Sequence, residues 1–190
     1  DKPSCIFRRI DENPRFGMTS WRVGPYMKVT SLNEAKNVRV TDYNHGPLKK
    51  WISYQIKFDS SALDVTITLP NNSKTLEFDV RVDWHEIGRG ETGIPQLNFY
   101  VPVKYAAEKY RYDIPFGMID RPDLAHDVPA NSFMQVFKSE GPVVSIVTDS
   151  KYGFRGNGNA GAVTLIRSSY DPDPYPELGR HHFKLGVILS

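Results

Sequence analysis

Three glycines, Gly156, Gly158 and Gly161, spell G-x-G-x-x-G inside "KYGFRGNGNAGAVTLIRS". That spacing can cradle a pyrophosphate, provided that a strand precedes it and a helix N-terminus follows to carry the negative charge. "VVSIVTD" upstream reads as the strand. Downstream, "AVTLIRSS" reads as a second strand, since Val163, Thr164 and Ile166 are β-branched. The glycines are therefore read as a glycine-rich hairpin loop.

Other groups capable of chemistry are scattered. His45, His85, His126, His181 and His182 form no H-E-x-x-H or H-x-H pair. Adjacent His181 and His182 point to opposite faces of a strand and cannot easily share a metal. Asp83 and Glu86 flank "WH", but three positions apart on a strand they face opposite ways, so they make a poor glycosidase pair. We expect Asp83 outward and Glu86 bonded to backbone at the strand end. Asp171 and Asp173 sit between prolines in "YDPDPYPELG", where short acidic side chains build turns. No G-x-S-x-G surrounds any serine. The single cysteine, Cys5, excludes an internal disulfide and a cysteine-based zinc cage.

The elements that must position these residues are strands. In "TLEFDVRVDWHE" Leu76, Phe78, Val80, Val82 and Trp84 fall on one face, and Glu77, Asp79, Arg81, Asp83 and His85 on the other. "ALDVTITL" before it, with "PNNSK" between, completes a hairpin. Further strands are expected in "YMKVTSL", "NVRVTDY", "KKWISYQIKF", "QLNFYVPV", "YRYDIPFG", "FMQVFK", "VVSIVTD", "AVTLIRSS" and "HHFKLGVIL". Only "KYAAEKY" looks even briefly helical, and it is too short to matter. Residues 112–131, with Pro115, Pro122 and Pro129, are expected to form a long covering loop. About ten strands without a useful amphipathic helix predict an all-β fold, a large antiparallel β-sandwich.

The chain has 190 residues, enough for one such domain. Twenty-four basic residues nearly balance twenty-two acidic ones, with no basic stripe, so nothing points to nucleic acid. No stretch approaches the roughly 18 apolar residues of a membrane-spanning helix. The start "DKPSCIFRRIDENP" is no signal peptide and lacks an initiator Met, so the chain is expected to be cut from a longer one.

The blocks "GMTSWRVG" (17–24), "NHGPLKKW" (44–51), "LEFDVRVDWHE" (76–86), "PFGMIDRP" (115–122), "TDSKYGF" (148–154), "LIRSSYDPDPYPELGRHHF" (165–183) and "LGVIL" (185–189) carry a family resemblance in their order. Together they resemble the C-terminal β-domains of glycoside hydrolase family 38, the class II α-mannosidases, bacterial members included. The resemblance implies a supersandwich of the galactose-mutarotase-like kind. It implies a retaining α-mannosidase whose N-terminal barrel, absent here, supplies zinc ligands, aspartate nucleophile and acid/base carboxylate. No catalytic residue is carried onto this chain, and no metal ligand.

The implied partners are the enzyme's own catalytic and helical domains, with carbohydrate as a further contact. Tyr152, Arg155, Arg167, Asp171 and Asp173 become candidates for touching distal sugars or the barrel. The same residues could simply fasten loops. After D-W-H-E this chain departs from its relatives, with the glycine-rich "IGRGETGIP" in place of a short basic L-K. A bacterial enzyme of this kind is expected in the cytoplasm. A free-standing carbohydrate-binding or adhesive sandwich is the alternative function.

Overall fold

A computed structural model describes residues 4–14 and 17–190. Among them there is no helix, and every strand pairing is antiparallel. In chain order the strands are β1 (Ile6–Glu12), β2 (Tyr26–Ser31), β3 (Val38–His45), β4 (Lys49–Phe58), β5 (Ser61–Pro70), β6 (Thr75–Trp84), β7 (Ile94–Pro102) and β8 (Lys109–Ile114). They continue with β9 (Gly117–Arg121), β10 (Val128–Pro129), β11 (Phe133–Phe137), β12 (Val144–Thr148), β13 (Gly153–Gly156), β14 (Ala160–Arg167) and β15 (Gly179–Leu189). A six-stranded sheet runs β10-β13-β14-β7-β1-β2, and a nine-stranded sheet runs β3-β4-β5-β6-β15-β12-β11-β8-β9.

Alternation decides the core. Phe78, Val80, Val82 and Trp84 of β6 are buried, while Glu77, Arg81 and Asp83 face solvent. Phe99 of β7 bridges the layers, with ring centroids 5.2 Å from Phe7 and 5.0 Å from Phe78. The all-β sandwich expected from sequence is the observed architecture.

Several local expectations are corrected. "KYAAEKY" forms no helix; Tyr105 instead donates its hydroxyl to the Val136 carbonyl at 2.6 Å and accepts from the Val144 amide. Residues 112–131 are not one covering loop, because β8 turns at Pro115–Phe116 into β9, and β10 follows. The sequence expectation did not include the strand β1: its "IFRRIDE" lacks a clean apolar alternation, since buried Ile10 shares a face with Arg8 and Glu12 while Arg9 and Asp11 share the face of Phe7.

The glycine loop is also redrawn. Gly156 and Gly161 are paired strand residues, and only the turn 157–159 forms the tip. A Cβ on Gly156 would overlap the Tyr110 ring, and one on Gly161 would lie 2.8 Å from Ile146 Cδ1. Gly158 alone uses a left-handed backbone, with φ of 59°. These glycines admit neighbouring side chains, not a phosphate.

Candidate functional site

The register brings one set of chain crossings to the same end of both sheets. There Glu12 pairs with Tyr26 and Ile94, Arg167 with Gln96, Trp84 with Gly179, Phe58 with Ser61, and Thr148 with Leu185. The connectors 59–60, 85–93, 149–152 and 168–178, together with the chain between β1 and β2, therefore cluster. Two contacts tie the layers across this end: Trp84 donates Nε1–H to Ser168 Oγ at 2.6 Å, and Arg9 pairs with Asp59.

Arg167 organises the centre. Its Nε donates to Glu12 Oε2 at 2.8 Å and its Nη2 to Glu12 Oε1 at 2.7 Å, a two-point grip on a fully buried carboxylate. The same guanidinium donates to the carbonyls of Thr19 and Arg22, and Glu12 also accepts from the Gly24 amide and Gln96 Nε2. The 17–24 connector is thus pinned on one side. On the other side Thr19 Oγ1 accepts the amides of Tyr170 and Asp171, and Asp171 Oδ2 accepts the Met18 amide at 2.9 Å. Asp173 Oδ1 accepts the Tyr175 amide, and the Asp171–Pro172 bond is cis. Both aspartates serve turn geometry.

Arg155 is held more sparsely, with its Nη2 buried and unpartnered among the described residues. Its Nε donates to Asp127 Oδ1 at 2.7 Å, and its guanidinium lies 3.5 Å from the centroid of the Tyr26 ring. Asp127 also accepts from Thr164 Oγ1 at 2.6 Å and from Tyr26 Oη at 3.3 Å. Burial pushes the Tyr26 phenol up, with the Asp127 charge adding to it, so it stays a donor. Tyr152 and Asp173 are both exposed, but Asp173 is held by the Tyr175 amide, whereas the Tyr152 hydroxyl has no partner among the described residues. It sits at the open end of the β13–β14 hairpin, away from the glycine tip.

The carboxylates of "VDWHE" separate as expected. Asp83 is exposed beside His85, whereas Glu86 is buried and accepts from the Ser60 amide and Ser61 Oγ. On β15, His181 bonds the Glu177 carbonyl and His182 bonds Asp79. Among the described residues no three His, Cys, Asp or Glu side chains converge as metal ligands. The donor set for a zinc ion is not built by these residues, and no chemical step is assigned through one.

Sequence reasoning missed Glu12, Thr19, Tyr26 and Asp127. Each acts on a residue remote in the chain, so no local spacing could announce it. The only local signal is a carboxylate following Ile10 on one strand face.

A second feature concerns coverage of the larger sheet. Along β4, Phe58, Ile56 and Tyr54 are buried on the core face, but Ile52 on the same face is 38% exposed. Along β5, Leu63 and Val65 are buried, and Leu69 is 40% exposed. Tyr43, opposite Ile52 on β3, is also exposed. The smaller sheet does not reach this corner. Beside it lies an apolar hollow of about 380 Å³ lined by Leu69, Leu76, Val144, Val187 and Leu189.

Comparison with known proteins gives this arrangement a context. Residues 5–175 match the family described as glycosyl hydrolases family 38 C-terminal domain. The chain is 25% identical over 158 residues to "Alpha-mannosidase G" of Dictyostelium discoideum, covering 75% of this chain and 14% of that protein. It is 29% identical over 98 residues to an "Alpha-mannosidase" of Saccharomyces cerevisiae, covering 48% and 9% respectively. The chain thus spans a small part of the relatives it matches. In fold it superposes on an α-mannosidase of Enterococcus faecalis V583 with a TM-score of 0.74 at 14% identity, over 98% of this chain and 25% of that one. With the family matched across most of its length and the fold in agreement, the chain belongs to the C-terminal domain family of glycosyl hydrolase family 38.

Proposed function

We propose that this chain is the accessory C-terminal β-sandwich of a retaining α-mannosidase and packs against that enzyme's catalytic part. The observation that carries this reading is the uncovered corner of the nine-stranded sheet. Tyr43, Ile52 and Leu69 present core-type apolar surface with none of the described residues covering it. Contiguous apolar surface of that kind marks an interface.

The whole enzyme, on this reading, hydrolyses α-mannosidic bonds through a glycosyl-enzyme intermediate. The nucleophile, the acid/base carboxylate and the zinc site belong to the catalytic part. Tyr152 is the residue free to touch the catalytic part or a sugar it holds. Arg155, Arg167, Asp171 and Asp173 shape the loops around it. A free-standing adhesive module is not favoured by the family match.

The test is an assay of this chain on an aryl α-mannoside with added zinc, alone and mixed with a separately expressed catalytic part. The chain alone is expected to be inert, and to raise the stability or activity of its partner. Turnover by the chain alone that survives purification would sink the proposal.

A further inference from the structure

The outward face of the nine-stranded sheet carries a groove of about 760 Å³ over β4, β5, β6, β15 and the end of β12. That volume lies within the range of small-ligand sites. Period-two alternation makes its floor polar. Ser53 Oγ and Thr66 Oγ1 bond each other at 2.8 Å, and Asp79 takes His182 Nε2 at 3.0 Å.

Two charged groups in the groove behave differently. Glu77 lies opposite Gly186 and Asp79 opposite Lys184, so Glu77 and Lys184 are diagonal neighbours across β6 and β15. Such positions are about 7–8 Å apart at the backbone, within reach of long side chains. Opposite charges there commonly close into an ion pair, yet Glu77 and Lys184 do not. Both are exposed, and neither has a side-chain partner among the described residues. Thr68, directly across from Glu77, likewise keeps its hydroxyl free among the described residues.

An acceptor, a strong donor and a hydroxyl therefore surround one hollow. An anion would meet Glu77 and Asp79, and a lone cation would meet Lys184. A neutral ligand whose every polar group both donates and accepts satisfies all three. Trp51 does not itself line the groove, but it stands directly opposite Thr68 on β4, on the face of Ser53, so its half-buried side chain is next to the groove and suited to the C–H face of a pyranose.

We propose that this groove binds a neutral saccharide, with Glu77 and Lys184 bracketing one sugar ring and Thr68 and Trp51 completing its contacts. The choice of an α-mannoside as the sugar rests on the mannosidase reading; the groove itself does not.

The experiment titrates this chain with methyl α-mannoside, α-linked mannobiose and maltose, following backbone amide shifts. Mannobiose is expected to shift residues 66–68, 77–79 and 184–186. Glu77→Gln, Lys184→Met and Thr68→Val should each weaken it about tenfold with the thermal midpoint unchanged. No shift with any of the three sugars overturns the groove proposal and leaves the accessory role standing. Equal affinity in all three variants also overturns it. Maltose binding in the groove with mannobiose ignored upholds the site and counts against the mannosidase reading.

Discussion

Arg167 and Glu12 stand 155 residues apart in the chain and meet in a two-point ion pair at the end of the sandwich. The carboxylate is fully buried, and the arginine adds two backbone carbonyls from the 17–24 connector. One side chain thus joins β1, β14 and the loop between β1 and β2.

Removing Arg167 leaves a buried carboxylate without its counter-charge. Arg167→Met is expected to destabilise the fold by about 3–5 kcal/mol, read as the urea unfolding midpoint. Glu12→Gln combined with Arg167→Met should recover part of that loss, because the stranded charge is gone. Additive losses in the double variant would show that the pair is not coupled.

The glycines separate by mechanism. Gly156→Ala drives a Cβ into the Tyr110 ring and should cost about 1–3 kcal/mol through overpacking. Gly158→Ala meets no atom within 4 Å and suffers only its positive φ, about 1 kcal/mol. Thermal denaturation ranks the two. A larger loss at Gly158 would contradict the placement of Gly156 in a strand.

Acid should loosen the outer edge of the nine-stranded sheet. Side-chain hydrogen bonds from Arg111 and Lys109 hold the Asp120 carboxyl down at about 2, against an ordinary 3.8. A carboxylate with a depressed folded value contributes stability above its unfolded value and loses it as pH falls toward the folded one. The pair is partly exposed, so the contribution is small, roughly 0.5 kcal/mol. Carbon NMR titration of Asp120 reads the value directly. A midpoint at the ordinary value removes the prediction.

The uncovered corner should make the isolated chain self-associate. Light scattering is expected to show a concentration-dependent rise in mass, abolished by Ile52→Lys with Leu69→Lys. Both side chains are exposed, so stability should move by no more than about 0.5 kcal/mol per site. A monomer at every concentration would argue that the corner is not an interface.

The architecture was legible because strand periodicity is local. Phe78, Val80, Val82 and Trp84 announce their face within one segment, and "PNNSK" announces the turn, where Asn72 takes a φ of 60°. The resemblance to family 38 was legible for a related reason: short blocks keep their order along the chain, whatever contacts they make. β1 and β13 were not legible, because β1 mixes polar and apolar residues on both faces and β13 is only the four residues GFRG, with Arg8, Glu12 and Arg155 held by partners far away in the chain.

The sequence by itself determined the fold class, the family and the absence of the G-x-G-x-x-G helix. Only the tertiary structure decided what the candidate residues do. It gave Arg155 to Asp127 and Arg167 to Glu12, spent Asp171 and Asp173 on loop amides, and left Tyr152 exposed. It also placed Glu77 beside Lys184, on strands distant in sequence, without joining them. The physical reason is that alternation depends on nearest neighbours along the chain. Pairing, burial and coverage depend on which segments the fold brings together.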